Sequence, residues 1–227
     1  MRKHSLDSIR RRLVKLRDEA EKKVASGNSF GKLVGTLEEA AKDVKTWPLQ
    51  TDGFPALAPG LEEAYRGARR AMARARKQPQ PENFHEWRKR VKDHWYHVRL
   101  LESLWSDLMR AHEKSLKDLE SWLGEDHNLV VLREKIVAEP DSYGDPKETE
   151  LVLHLIDKYQ KELRDNSLSL GERIYEERSR QFLRRMKHLW LAWQSQPKSL
   201  ERQQESDSQK QSGKAPRKKY RSSGKAA

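Results

Sequence analysis

The fold of this chain is decided by residues 83–105, which read NFHEWRKRVKDHWYHVRLLESLW. An advance of about 100° per residue places one group of side chains on an apolar face: Phe84, Trp87, Val91, Trp95, Val98, Leu101 and Trp105. A second group, the cationic stripe, falls within roughly 60° of one line on the other side: His85, Arg88, Lys89, Lys92, Tyr96 and Arg99. The segment therefore predicts a long amphipathic helix.

Helical patterns continue in both directions from this segment. Apolar spacing predicts further helices at about 5–26, 29–45, 60–77, 108–123, 125–138, 147–165 and 167–194. The loops between them are marked by Gly and Pro, and Gly124 is expected to end one of the helices. Because the chain shows no strand pattern, we predict an all-α fold, an antiparallel helical bundle over residues 1–194.

Composition narrows the function of the chain. The net charge is +12 and the sequence pI is about 9.8, so the partner is expected to be an anion. Cysteine is absent, which excludes disulfides and cysteine chemistry. Neither a membrane span nor a secretory signal is visible, so a cytoplasmic location is expected. Residues 195–227 are rich in Gln, Ser and Lys and predict a disordered basic tail.

Two other groups of basic residues accompany the cationic stripe. The helix at 60–77 carries Arg66, Arg69 and Arg70 on one side. In the segment 167–194, a narrow line is expected from Arg173, Arg180, Arg184 and Lys187. Few acidic residues interrupt these lines, so we expect the three lines to converge into a basic groove or pore, and not to be solvated surface charges.

The motif His85-Glu86-Trp87-Arg88-Lys89-Arg90-Val91-Lys92, followed by Tyr96, resembles the signature of the CHAD family, the conserved histidine α-helical domain. Residues 65–69 resemble the basic helix before that motif. Residues 123–129 resemble its second landmark, a Leu-Gly turn that opens a helix. Trp95 stands where many members carry Arg, and Asn128 where the landmark usually has Asp. The resemblance spans roughly residues 5–194.

The resemblance implies two similar helical halves around a basic pore that binds inorganic polyphosphate. It places phosphate contacts at His85, Arg88, Lys89, Lys92 and Tyr96. The second half corresponds to about residues 83–194. The first half lacks the family's His/Arg motif, so the chain is expected to be an N-terminally truncated member. The pore is then either open on one side or closed by a second copy in a homodimer.

Three other functions are alternatives to polyphosphate binding: metal binding, phosphate hydrolysis and nucleic-acid binding. A metal site at His94 and His97 with Glu86 and His85 nearby is disfavoured, because these side chains do not converge and His94 is expected to pack in the core. A phosphohydrolase is disfavoured because no Gly-rich phosphate loop is present, and Glu125 and Asp126 read as acids in the first turn of a helix. Nucleic-acid binding is the main alternative.

The sequence thus predicts a non-enzymatic protein that binds polyphosphate without cofactor or metal. We expect contacts from the whole cationic stripe, from Arg66, Arg69 and Arg70, and from the line of Arg173, Arg180, Arg184 and Lys187.

Overall fold

The structure, a computed structural model, describes residues 6–26, 29–48 and 50–196. The secondary structure in these ranges is helical, which confirms the all-α prediction. The helices are α1 (Asp7–Ser26), α2 (Ser29–Val44), α3 (Phe54–Lys77), α4 (Pro81–Leu100), α5 (Ser106–Ala138), α6 (Pro146–Ile174) and α7 (Ser179–Gln194). The predicted disordered tail covers residues 195–227, and from residue 197 onward it lies outside the described residues.

Several predicted helix boundaries are wrong. The helix predicted to begin near residue 60 begins at Phe54. Pro55 lies in its first turn, where backbone N–H groups have no partner within the helix, so proline costs no hydrogen bond there. The helix α4 ends at Leu100 and not near Trp105, and a short 3-10 turn (Glu102–Leu104) follows it. These corrections lengthen α3 and separate Trp105 from the apolar face of α4.

The largest error concerns Gly124, which lies inside α5 and does not end a helix. The two helices predicted at 108–123 and 125–138 are therefore one helix. The reverse error occurs at the other end of the chain, where the predicted 167–194 helix is divided at Tyr175, between α6 and α7.

The core lies where α4 packs between α3 and α5. The apolar face of α4 supplies Phe84, Trp87, Val91 and Val98, each at most 1% exposed. The helix α6 comes close to this core at Gly171, where an added Cβ would lie 2.6 Å from the Trp87 ring. Absence of a side chain at Gly171 thus lets α6 approach α4, and α7 covers α3 with Phe182 and Met186.

His94 is fully buried in this core, as the sequence predicted. Its Nδ1 lies 3.3 Å from the Tyr175 hydroxyl, and its ring meets His112 edge-on. Burial holds the pKa of His94 well below its usual value, and burial, reinforced by the charge of Arg185, lowers the pKa of His112 to about 4. Both rings are thus neutral core groups at neutral pH.

A smaller apolar cluster joins α1 to the α5–α6 pair through Ile9, Ile136, Tyr143, Val152 and Ile156. Only the first part of α1 takes part in this packing. The side chains described between Glu19 and Gly53 are exposed, apart from Gly35, so α2 is hardly packed against the bundle.

Candidate functional site

The cationic stripe of α4 lies beside α5, and together they form what we call the α4–α5 surface. It consists of the six stripe residues with Lys117 and His127 of α5. Its geometry follows from the amphipathic pattern of α4, because burying Trp87 and Val91 in the core turns the opposite side of the helix outward. The side chains that the sequence placed on one line are all at least partly exposed.

Arg88 is the most firmly held cation of this surface. Its Nη2 donates to Oε1 of Glu120 at 2.9 Å, and Lys117 Nζ donates to the other oxygen of that carboxylate at 2.7 Å. Burial disfavours ionisation of Glu120, but the bonds and charges of Lys117 and Arg88 outweigh it and lower its pKa. One buried carboxylate therefore holds two cations side by side.

Gly124 makes room for this arrangement. A Cβ at position 124 would lie 3.2 Å from Nε of Arg88 and 3.5 Å from its Nη2. The guanidinium thus lies directly against the backbone of α5. Nε of Arg88 is buried and has no hydrogen-bond partner among the described residues. Gly124, which the sequence predicts to end a helix, instead makes space for the Arg88 guanidinium.

His85 and His127 form a pair across the two helices. Their ring centroids are 4.3 Å apart and the rings are inclined by 35°. Burial lowers the pKa of His85, and the charges of His127, Lys89 and Arg88 lower it further. Nδ1 of His85 is buried without a hydrogen-bond partner within the described chain. His85 is therefore a neutral group at pH 7, with unused hydrogen-bonding capacity.

Trp95, the residue that departs from the family pattern, organises the far end of the surface. Lys117 Nζ lies 4.7 Å from the centroid of its ring, and the Arg99 guanidinium carbon lies 5.4 Å from it. Its Nε1 donates to Glu113 at 3.2 Å, and Tyr96 stacks beside it. The ring thus positions two cations through cation–π contacts, and contributes no positive charge of its own.

Carboxylates are closer to the stripe than the sequence indicated. Besides Glu120, Glu113 lies 3.5 Å from Arg99, and Glu86 accepts from Lys89 at 2.8 Å. Lys92 and the hydroxyl of Tyr96, in contrast, have no hydrogen-bond or ion-pair partner among the described residues. The surface therefore combines cations held by acids with donors that are free to meet a ligand.

The arginines of α3 lie elsewhere, in what we call the α3–α6 groove. Its charged lining comprises Arg66, Arg69, Arg70, Arg76, Glu172 and Glu176. Arg76 pairs with Glu172, and Nε of Arg69 donates to the Tyr175 carbonyl at 3.1 Å. Both Arg66 and Arg70 bind Glu63, and the hydrogen bond from Arg66 lowers the pKa of that carboxyl. Each of the four arginines is thus already partnered.

The basic line predicted along residues 173–187 is divided between two helices. Arg173 lies on α6, whereas Arg180, Arg184 and Lys187 lie on α7, after the break at Tyr175. All four side chains are exposed. The main neighbours of α7 are α3 and the 3-10 turn, whereas the cationic stripe faces α5. No described hydrogen bond, ion pair or ring contact joins these four residues to the α4–α5 surface.

The acids weighed as catalytic groups have structural partners. Because α5 is continuous, Glu125 and Asp126 lie in mid-helix and not in a first turn. Asp126 is 2% exposed and binds Arg164 at 2.7 Å, and Glu125 accepts from the Tyr159 hydroxyl. Residues 6–26, 29–48 and 50–196 contain no cluster of His, Asp or Glu side chains arranged to hold a metal ion. Within the same ranges, no helix has the length and apolar character of a membrane span.

Sequence reasoning did not include Lys117 and His127 among the site residues. Both lie on α5, and their position opposite α4 depends on the pairing of the two helices. The only local signal was that His127 belongs to the landmark at residues 123–129. Lys117 carried no signal, because an isolated lysine on an amphipathic helix is ordinarily solvated.

The fold and this surface define an all-helical protein with a cationic face built on two packed helices. The CHAD domain family model matches residues 1–137, so the chain belongs to the CHAD domain family. The match ends within α5 and includes the whole α4–α5 surface, whereas α6 and α7 lie beyond it. No curated protein and no solved structure matches the chain. CHAD domains are in general terms polyphosphate-binding domains.

Proposed function

We propose that this chain binds inorganic polyphosphate along the α4–α5 surface and does not turn it over. The observation that carries the proposal is the pairing of fixed and free donors on this surface. Glu120 holds Arg88 and Lys117 in place, while Lys92, Tyr96 and the His85–His127 pair retain unused donors nearby. A flexible chain of phosphates requires such a row of donors more than it requires one deep pocket.

The residue types suit phosphate. Arginine offers a planar fork of donors for two phosphate oxygens, and lysine adds a compact charge. Because Arg88 is held by Glu120, its side chain loses less freedom on binding than a mobile arginine would. Arg66, Arg69 and Arg70 would add long-range attraction, as would Arg173, Arg180, Arg184 and Lys187.

Two observations favour polyphosphate over nucleic acid as the ligand. Base stacking requires accessible aromatic rings, but Lys117 and Arg99 flank Trp95, which leaves Tyr96 as the one exposed tyrosine or tryptophan of this surface. The surface as defined also contains neither Asn nor Gln, the side chains whose amides read adenine edges.

The carboxylates of the surface support a binding role without catalysis. Phosphoanhydride hydrolysis ordinarily uses carboxylates to hold Mg²⁺. Glu86, Glu113 and Glu120 are instead bound to Lys89, Arg99 and Arg88. We expect no release of orthophosphate when the protein is incubated with polyphosphate and Mg²⁺.

The test is a titration of the full chain with polyphosphates of several lengths, beside single-stranded RNA and DNA of equal phosphate number. We expect affinity to rise with polyphosphate length and to fall steeply with salt. Equal displacement of polyphosphate by RNA or DNA at physiological salt would contradict the proposal and support nucleic-acid binding.

A further inference from the structure

An apolar face on α2 lies uncovered. Five large side chains repeat on it at helical spacing, each exposing more than half of its surface: Phe30, Leu33, Val34, Leu37 and Val44. Trp47, just after the helix, is 62% exposed. A helix of 16 residues is marginally stable in water without packing, so α2 requires a surface that covers this face.

A groove with the matching character lies on the same chain. Packing of Ile9 against α5 and α6 leaves an open apolar depression lined by Leu6, Leu13, Val14, Leu132 and Val152. Leu6, Leu13 and Val14 are each exposed by about two fifths. We call this depression the α1 groove. Its apolar lining is the counterpart that the face of α2 lacks.

We propose that two copies of this chain form a two-fold symmetric dimer in which α2 of each copy lies in the α1 groove of the other. In such an interface the apolar face of α2 in each copy contacts the α1 groove of the other, so a single second copy covers both patches. The two patches lie outside the α4–α5 surface, so the dimer does not depend on what that surface binds.

Charge complements this arrangement. The α1 groove is lined by Arg10, Arg17 and Asp7 in addition to its apolar residues. At 100° per residue, Glu38 lies beside the apolar face of α2, next to Leu37. Two arginines against one aspartate leave the groove net positive, so it would attract the Glu38 edge of α2, which fixes orientation more than it adds affinity.

The size of the two patches fits a dimer. Eight large apolar side chains at roughly half exposure offer on the order of 800 Å² per copy, about the area of a standard interface. The segment 197–227 does not fit as the occupant, because its large apolar residues are Leu200 and Tyr220 alone. A second copy instead supplies a formed helix, α2, with five large apolar side chains.

The first test is the mass of the full chain in solution, measured by light scattering during gel filtration at micromolar concentration. We expect twice the 26.7 kDa of one chain. Leu37→Glu should raise the dimer dissociation constant by about tenfold or more, because it places a charge in the interface. Lys32→Gln makes the same change in net charge on the opposite side of α2 and should leave the dimer intact.

The second test is Leu13→Glu, which changes the α1 groove and leaves α2 untouched. It should weaken the dimer as Leu37→Glu does, whereas a dimer formed by α2 against α2 would be unaffected. Circular dichroism should show the bundle folded in both variants, since neither side chain is buried. A monomeric wild-type chain, a Leu13→Glu chain that dimerises normally, or a mass that rises only when another protein is added would overturn the proposal. Both variants should bind polyphosphate as the wild type does, so failure here leaves the proposed function standing.

Discussion

The α4–α5 surface and the α3–α6 groove each hold at least four arginine or lysine side chains, and carboxylates lie beside both. In the groove, Glu63, Glu172 and a backbone carbonyl together engage all four arginines. On the α4–α5 surface, Glu120 fixes two cations, while Lys92 and the His85–His127 pair have no ionic partner. Charge count alone therefore does not separate the two regions. The distribution of partners does.

The strongest test of this comparison removes the two central cations. Arg88→Ala with Lys92→Ala should weaken polyphosphate binding by about 100-fold or more, since each charged hydrogen bond contributes about 1.5–3 kcal/mol. Isothermal titration at moderate salt measures the change. The matched control is Lys158→Ala with Lys161→Ala on α6, which removes equal charge from exposed positions.

Loss of Arg88 leaves Glu120 with one cation, so the single variant Lys92→Ala provides a cleaner comparison. Lys92 has no described partner, and its removal should lower affinity by about tenfold without changing the thermal midpoint. Unchanged binding by the double variant would remove the α4–α5 surface from the mechanism.

The second test uses pH. Burial and nearby cations keep the pKa of His85 below 6.5 in the free protein, whereas a bound phosphate would raise it. Binding then takes up a proton, so affinity should strengthen, by up to about tenfold per pH unit, as pH falls through the raised pKa of the bound state, and level off below the pKa of the free protein. The charged groups facing His85 are Arg88, Lys89, Glu86 and His127.

His85→Gln is the control for that profile, because any titration of the ligand itself affects both proteins equally. The difference between the two affinity profiles should be smallest at alkaline pH and grow as pH falls. A difference that is constant with pH would show that His85 binds only as a neutral donor.

The third test moves the Arg88 guanidinium without changing the charge of the surface. Gly124→Ala should push the Arg88 guanidinium away and weaken binding several-fold, while the helix gains about 0.5–1 kcal/mol of stability. Gly35→Ala on α2 is the matched control, since nothing lies within 4 Å of its added Cβ. Thermal melts and titrations of both variants separate the two effects, and a Gly124→Ala protein with wild-type affinity would show that the position of Arg88 is unimportant.

The smallest effect is expected in the α3–α6 groove. Arg66→Ala with Arg70→Ala removes as much charge as the central double variant, but both residues already bind Glu63. Affinity should fall only about two- to threefold, through loss of long-range attraction. A loss as large as that of Arg88→Ala with Lys92→Ala would reverse the ranking of the two regions.

The sequence predicted the faces of α4 well, because a helix repeat of 3.6 residues alone separates Trp87 and Val91 from Arg88 and Lys92. It failed at Gly124, because a glycine that ends a helix and one that admits a neighbouring guanidinium look alike in one dimension. The break at Tyr175 carries neither Gly nor Pro, and the Tyr65 hydroxyl bonds to the Glu177 carbonyl there from another helix.

The partners of the site were equally invisible in the sequence. Glu120 follows Arg88 by 32 residues, and Glu113 follows Trp95 by 18, so local spacing gives no sign of either contact. The two carboxylates that α5 brings to the stripe therefore cannot be inferred from the sequence, whereas Glu86 lies three residues before its partner Lys89 on the same helix. The charge along one helix can be predicted from its own sequence, whereas its neutralisation by acids of another helix depends on how the two helices pack.

The most direct test of the central claim is to map the backbone amide signals of the full chain by NMR during titration with short-chain polyphosphate. We predict that the largest shifts fall on residues 85–99 of α4 and 117–127 of α5, with small shifts in the α3–α6 groove. Largest shifts at residues 66–76 and 172–179, with α4 and α5 unchanged, would contradict the account.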